Sequence, residues 1–226
     1  MVRSLLPGSS QEVDLHQAYA WPGPTCLRVS FVSSLDGAAT LHGRTAGLGD
    51  AADKAVFAHL RATCDAVLVG AGTASAERYG RARAPVVVVS ARLSPSADER
   101  LFRPANGTAA PVVLTCAAAP ADRRSALARS AEVVDCGEDA VDLRLVVAEL
   151  ERRGLRRILC EGGPRLFAAL LAADLVDELC LTVAPLLTAG DAPRITRGPG
   201  LPAPRPATLL SVLEQDGTLL LRHSLR

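Results

Sequence analysis

Arg157-Ile-Leu-Cys-Glu-Gly-Gly-Pro-Arg-Leu-Phe167 is the stretch of the sequence that decides the fold. It predicts a short buried strand over 157–160, a turn at Gly162-Gly163 and a helix over 164–173. Proline suits the first turn of a helix, because its missing N–H would have no partner there. Glycines before a helix let a ligand approach the backbone, and the helix N–H groups and dipole favour an anion such as phosphate. Taken alone, the segment equally fits a tight turn that needs glycine dihedral angles.

A second segment of the same kind lies upstream, at Asp65-Ala-Val-Leu-Val-Gly-Ala-Gly-Thr-Ala-Ser75. An apolar strand again runs into glycines and a hydroxyl residue. The glycines superficially resemble a dinucleotide fingerprint, but Ser75 takes the third glycine position and no long amphipathic helix is expected after it. The two segments together predict a two-point cradle for the phosphates of a nucleotide, in which Thr73 can donate both its hydroxyl and its N–H.

Composition excludes several classes of protein. The chain has 226 residues, of which 49% are hydrophobic and 3% aromatic, which is enough for one substantial α/β domain or two small ones. The formal net charge is +1 and the arginines are scattered, so no nucleic-acid partner is expected. No apolar stretch reaches the roughly 18 residues of a membrane span, and the N-terminus lacks the apolar core of a signal peptide.

The six cysteines indicate a reducing compartment. They form no C-x-x-C pair and no cluster with zinc-ligand spacing, so no metal site is predicted. Most lie in or beside apolar strands, where buried and reduced thiols are expected, as is typical of a cytoplasmic protein.

Strands and helices alternate along most of the chain. Strands are predicted over 27–32, 66–70, 85–90, 111–115, 132–135, 157–160, 176–183, 207–213 and 218–223. Helices are predicted over 51–63, 122–130, 142–153 and 164–173, the first of them N-capped by Asp50. Asp216-Gly217 between apolar runs predicts a hairpin, and 186–206 a loop. The pattern predicts one α/β domain over 26–226, after an irregular lead-in over 1–25. Its mostly parallel sheet is flanked by helices and ends in an antiparallel C-terminal hairpin.

Four segments in order carry a resemblance to a known family. They are Ser34-Leu-Asp-Gly37, Leu60-Arg-Ala-Thr-Cys-Asp-Ala-Val-Leu-Val-Gly-Ala-Gly-Thr73, Cys160-Glu-Gly-Gly-Pro-Arg-Leu166 and Leu175-Val-Asp-Glu-Leu-Cys-Leu-Thr-Val-Ala-Pro185. Together they resemble the pyrimidine reductase of riboflavin biosynthesis, which belongs to the dihydrofolate-reductase-like superfamily. The resemblance implies a homodimer that uses NADPH to reduce 5-amino-6-(5-phosphoribosylamino)uracil to the ribitylamino product. The H-x-E and P-C-x-x-C signature of the associated zinc deaminase is absent.

The sequence departs from the family pattern in places. The family often has a lysine in the first strand, and here Arg28 stands near that place. Ala74-Ser-Ala-Glu-Arg-Tyr-Gly80 replaces the usual acidic, proline-containing stretch after Gly70-Ala-Gly-Thr73. Two alternatives therefore stay open: a reductase of the same fold that acts on dihydrofolate or another pterin, and an NADP-binding protein without turnover. The resemblance places a dimer contact near the strand 176–183 and the C-terminal hairpin.

The cofactor site implied by the resemblance comprises Gly70, Ala71, Gly72, Thr73, Glu161, Gly162, Gly163, Pro164 and Leu166. A carboxylate is unsuited to a phosphate, so Glu161 is expected to accept hydrogen bonds from ribose or nicotinamide groups, or to serve only as a helix-entry acid. After the strand at 85–90, Ser90 and Arg92 stand where an NAD site would need an acid. Arg92 is thus a candidate partner for the 2′-phosphate of NADPH, or a solvated loop residue.

Asp36 is the predicted catalytic residue and, with Ser34, a predicted substrate ligand. A carboxylate in a glycine-flanked loop after a strand can accept two hydrogen bonds from an aminopyrimidine edge, and burial would raise its pKa for proton transfer. The alternative is a purely structural role for Asp36, in an Asx-type turn at Asp36-Gly37. Lys54, Arg61 and Arg165 are candidate partners of a substrate phosphate, although charged helix faces are usually only solvated.

Overall fold

A computed structural model describes residues 3–6 and 9–226 of the chain. Within them, eleven strands form one sheet in the order β2-β1-β10-β11-β9-β3-β8-β4-β5-β6-β7. The strands are β1 Arg3–Leu6, β2 Ser9–Glu12, β3 Cys26–Ser33, β4 Ala66–Gly70, β5 Val86–Val89, β6 Val112–Thr115, β7 Glu132–Asp135, β8 Arg157–Cys160, β9 Glu178–Val183, β10 Thr208–Gln215 and β11 Thr218–Ser224. The predicted α/β class with a mostly parallel sheet is confirmed, since all pairs from β9 to β7 are parallel.

Helices cover both faces of the sheet. They are α1 Leu15–Ala18, α2 Ala51–Thr63, α3 Ala71–Ala76, α4 Ala121–Leu127, α5 Leu143–Arg152 and α6 Pro164–Ala172, with a 3₁₀ turn at Arg100–Phe102. Buried side chains of α2, α3 and α4 pack on one face, and those of α5 and α6 on the other. Successive strand residues alternate between these two cores, as the pleat requires, which is why the central strands are apolar throughout. In the described part of the chain, no helix has the length and apolar character to cross a bilayer.

The antiparallel end of the sheet differs in part from the expectations. The hairpin is confirmed: Asp216 and Gly217 join β10 to β11 with φ of 51° and 86°, as a two-residue turn of this type needs. The lead-in, expected to be irregular, contains β1, β2 and α1, because β10 offers a free edge on which β1 pairs. The strand β9, near which a dimer contact was predicted, is not an edge strand, because it lies between β3 and β11 and both of its sides are paired.

Candidate functional site

Two clefts open at the carboxyl ends of the parallel strands. The clefts adjoin each other at the two glycine segments. The first, of about 490 Å³, has β3 as its floor and α2, α3 and the end of β8 as its walls. The second, of about 830 Å³, lies among α3, the loop after β5 and the start of α6. They share the residues Gly72, Thr73, Gly163, Pro164 and Pro193. Crevices at the carboxyl ends of strands are where open α/β sheets bind ligands.

Close backbone contact at this shared seam explains the glycines. The N–H of Gly70 donates to the carbonyl of Gly162 at 2.7 Å. A Cβ at Gly163 would lie 2.2 Å from Thr73 Oγ1, and one at Gly162, whose φ is 85°, would lie 2.6 Å from the Phe31 ring. The hydrogen bond between Gly70 and Gly162 therefore joins the two glycine segments into one unit.

The second cleft gathers most of the residues predicted for the cofactor. Those that line it are Gly70, Ala71, Gly72, Thr73, Ser90, Arg92, Gly163, Pro164 and Leu166. Gly162 lines neither cleft, and Glu161 lines only the first. Nothing lies within 4 Å of a Cβ added at Gly72, so the space beside this glycine opens into the clefts.

Three exposed arginines surround the second cleft: Arg92, Arg165 and Arg197. None of their side chains forms a hydrogen bond or ion pair with the residues that the structure describes. Arg165 was predicted to bind a substrate phosphate, but it lies in this cleft with the cofactor candidates. The cleft combines a helix N-terminus, open backbone at glycines and exposed cationic side chains, which suits a multiply phosphorylated ligand.

A buried ionic network forms one wall of the first cleft. Glu161, whose side chain is 2% exposed, accepts from Arg61 Nε and Nη2, both at 2.7 Å, and from the hydroxyl of Tyr79. Arg61 also lies over the rings of Phe57 and Tyr79. Burial, and then the neighbouring carboxylate, raise the pKa of Tyr79 well above its usual range, so its phenol stays protonated. Arg61 is thus held by Glu161 and lines neither cleft, contrary to its predicted role with a phosphate.

The other carboxylates of the first cleft differ in their partners. Glu77 accepts from the N–H of Thr45 at 2.8 Å and lies 3.8 Å from Arg44. Asp53, in contrast, forms no ion pair within the described residues. Burial raises its pKa, although a hydrogen bond from the Thr182 hydroxyl opposes the shift. Lys54 also lines this cleft and is exposed, so it remains available for a ligand.

Asp36 stands apart from both clefts. Its carboxylate is exposed and accepts from the Ser34 hydroxyl, from the N–H of Thr188 at 3.1 Å and from that of Ala189 at 2.7 Å. The expected rise in its pKa is wrong: the Ser34 hydrogen bond, and then that of Ala189, lower it to about 2. Ser34 is buried and also accepts from the N–H of Ala38. These contacts tie the loop after β3 to the loop at Thr188 and Ala189.

Several residues of the clefts were not predicted from the sequence, among them Asp53, Tyr79 and Arg197. Asp53 lies on α2, and the spacing of apolar residues in this helix predicted only its buried face. A single acidic residue on the polar face of a helix does not by itself indicate a functional site. Tyr79 lies in the stretch 74–80, which departs from the family pattern. The one clue to it in the sequence is that the chain has only two tyrosines. Arg197 lies in a long Pro- and Gly-rich loop, whose path over a cleft cannot be read from local pattern.

A mostly parallel sheet with glycine turns after two neighbouring strands, and two clefts joined at those turns, defines an α/β protein with its ligand clefts at the carboxyl ends of the strands. The chain belongs to the RibD C-terminal domain family, whose model matches residues 25–220. The resemblance read from the four sequence segments is confirmed.

Known relatives agree with this assignment. The chain is 34% identical, over 63% of its length and 69% of the relative's, to 2,5-diamino-6-ribosylamino-4(3H)-pyrimidinone 5′-phosphate reductase of Methanothermobacter thermautotrophicus. It is 30% identical, over 65% of its length and 74% of the relative's, to the reductase of that name from Archaeoglobus fulgidus. A pyrimidine reductase-like protein from Corynebacterium diphtheriae shares the fold with a TM-score of 0.82. The two are 24% identical, over 93% of this chain and 97% of that one.

Proposed function

We propose that the protein reduces the ribosyl group of a 5′-phosphorylated ribosylaminopyrimidine to a ribityl group, with NADPH as reductant, in riboflavin biosynthesis. The seam shared by the two clefts carries the proposal. Hydride transfer needs cofactor and substrate in contact, and two clefts that share Gly72, Thr73 and Gly163 supply adjoining sites. The names of the curated relatives support the same reaction.

The second cleft suits NADPH. The start of α6 and the open backbone at Gly72 would hold the pyrophosphate, and Thr73 can donate a hydroxyl. Arg92 follows β5 with no acid nearby to bind a ribose 2′-hydroxyl, and Arg165 and Arg197 add cationic groups. This composition favours the 2′-phosphate of NADPH over the free hydroxyl of NADH. The bound cofactor supplies the hydride; the protein supplies position and electrostatics.

The first cleft suits the pyrimidine and its ribosyl group. Reduction breaks the C1′–O4′ bond, adds a hydride to C1′ and adds a proton to O4′. Tyr79, which is protonated, bonded to Glu161 and part of the cleft wall, is the proposed donor of this proton, and Arg61 keeps the Glu161 carboxylate in place. Phe31 and Phe57 offer apolar surface to a flat ring. Lys54 is the cationic side chain of this cleft and the proposed partner of the substrate's 5′-phosphate.

Two further parts of the proposal concern the protein's setting. Exposed leucines at Leu186, Leu187, Leu209 and Leu210 support a homodimer, which sedimentation analysis of the purified protein would test. The leucines, and not an unpaired edge at β9, are the proposed contact. Six free and buried cysteines support a cytoplasmic location.

The deciding experiment measures NADPH oxidation by the purified protein with the ribosylaminopyrimidine phosphate and with dihydrofolate in parallel. Turnover of the former alone is expected. Preference for dihydrofolate would replace the proposal with a pterin reductase, and tight NADPH binding without turnover of either would replace it with a non-catalytic binder.

Gly72→Val tests the cofactor cleft directly. The added side chain meets no protein atom within 4 Å of its Cβ but projects into the space proposed for NADPH. We expect NADPH affinity to fall by about 100-fold with little change in thermal stability. Gly200→Val is the matched control, because its Cβ is equally unobstructed and the residue lines neither cleft. Unchanged affinity in Gly72→Val would move the cofactor elsewhere.

A further inference from the structure

The loop between β9 and β10 crosses the seam that the two clefts share. Its residues 188–198, here called the strap, form no helix or strand. Pro193 lines both clefts, and Arg197, further along the strap, lines the second. In the proposed reaction the second cleft holds the cofactor and the first holds the pyrimidine. A single stretch of chain is therefore exposed to the ligands of both clefts.

Two backbone hydrogen bonds fix the strap at the seam. The carbonyl of Pro193 accepts from the N–H of Ala39 at 2.8 Å. The N–H of Arg197 donates to the carbonyl of Pro164, the first residue of α6, at 3.0 Å. Ala39 lines the first cleft, and Pro164 lines both. The strap thus connects a wall of the first cleft with the helix N-terminus at the second.

The seated strap brings a cation to a site that is already positive. Its bond to Pro164 places Arg197 at the N-terminus of α6, where Arg165 comes next and the first turn contains no acidic residue. Arg92 lines the same cleft, whereas Asp191, the acid of the strap, lines neither. A helix N-terminus and like charges repel a further cation. A phosphorylated ligand in the second cleft removes this repulsion and therefore favours the seated strap.

We propose that Arg197 is a positioning residue that couples the two clefts through the strap. Phosphate groups of the cofactor bind Arg197, the strap seats, and Pro193 then holds Ala39 at the wall of the first cleft. A substrate that binds next meets a wall already in place, so less entropy is lost in ordering it. Coupling of this kind is reciprocal, so bound substrate tightens cofactor binding by the same factor. This inference rests on the function proposed above, since it takes the second cleft for the cofactor and the first for the substrate.

The test uses adenosine 2′,5′-bisphosphate, which has the phosphorylated adenosine of NADPH but no nicotinamide. Without the nicotinamide it does not reach the pyrimidine and supplies no hydride, so substrate affinity is measured at equilibrium without turnover. We expect a saturating concentration of the bisphosphate to lower the Kd of the ribosylaminopyrimidine phosphate by about tenfold. Hydrogen exchange at the backbone N–H of Ala39, which the strap covers, should slow as well.

Substitutions of two arginines separate the strap from charge alone. In Arg197→Gln we expect the tightening to fall below about twofold, and Arg197→Lys, which keeps the charge, should restore most of it. Arg165→Gln is the matched control: it removes a charge from the same cleft but from α6, so coupling at saturation should stay at or above about fivefold. Both arginine side chains are exposed and have no partner among the residues that the structure describes, so the variants should fold.

The outcomes separate this inference from the proposed function. If the wild-type protein fails to bind one of the two ligands, or binds them competitively, the assignment of the two clefts is wrong and the inference falls with it. If both bind and the Kd of the substrate is unaltered by the bisphosphate, the inference alone is wrong. Coupling that persists in Arg197→Gln, or that Arg165→Gln removes to the same extent, also overturns it. So does unaltered exchange at Ala39.

Discussion

Among the residues whose burial the structure describes, two buried glutamates are paired with arginine, and they play different parts. Glu178 begins β9 and accepts from Arg28 at 2.8 Å and from Arg222 at 3.0 Å. Glu161 follows β8 and accepts from Arg61 and Tyr79. Both glutamate side chains are at most 5% exposed. In chemistry and burial the two sites are nearly the same.

What differs is where the remaining donors of the arginines point. Arg28 donates to the carbonyls of Tyr19 and Ala20, and Arg222 to that of Ala18, so the Glu178 network fixes a chain segment to the sheet. None of these residues lines either cleft. The Glu161 network, in contrast, includes two residues that line the first cleft, Glu161 itself and Tyr79. Access to a cleft, and not the buried ion pair itself, separates a site from a structural support.

Substituting each glutamate by glutamine gives the largest expected effects. In Glu161→Gln we expect kcat/KM to fall by about 100-fold or more, because the phenol loses its charged partner at the wall of the cleft. In Glu178→Gln we expect the free energy of unfolding to fall by about 3 kcal/mol, since two arginines keep their charge without a carboxylate. Its kcat should be unaltered for the folded protein. Urea unfolding and steady-state kinetics of both variants measure these two effects. A loss of kcat in Glu178→Gln would contradict the distinction between a functional Glu161 network and a structural Glu178 network.

The two tyrosines allow a finer version of the same test. Tyr79→Phe removes only the hydroxyl that donates to Glu161, and we expect kcat to fall by about tenfold. Tyr19→Phe keeps the ring that lies beneath Arg222 and should leave kcat unaltered. Single-turnover kinetics at saturating NADPH compares them. Equal rates for Tyr79→Phe and the wild-type protein would remove Tyr79 from proton transfer.

Asp36 is expected to give the smallest effect on turnover, below about threefold in Asp36→Asn, because its bonds tie two loops outside the clefts. Its contribution should appear instead in acid. The pKa of about 2 lies below the roughly 3.9 of an unfolded aspartate. The stabilisation is therefore complete above about pH 4 and is lost as pH falls toward 2. Thermal unfolding across this range should show a smaller pH dependence in Asp36→Asn. A large loss of turnover at neutral pH would restore its catalytic role.

The sequence predicted the parts of the molecule that depend on local pattern. Valine-rich strands, the Asp216-Gly217 turn and the glycines that open α6 all follow from residues close together, and each is present. The same glycines line the second cleft, which we propose for the cofactor. The first cleft was less predictable, because Asp53 enters it only through the packing of α2 on the sheet. Asp36, in a conspicuous motif, is bonded to residues about 150 positions later, which no local pattern reveals.

The place of β8 in the sheet has a consequence for how the chain is made. This strand lies between β3 and β4, yet it follows them by about 90 residues or more in the sequence. During synthesis, both sides of β3 stay unpaired until β8 and β9 have been made. One side of β4 likewise stays unpaired until β8 has been made. A nascent chain that ends before residue 157 thus carries unpaired apolar strand edges, which invite association between copies. Synthesis of the last third of the chain completes both the sheet and the seam between the two clefts.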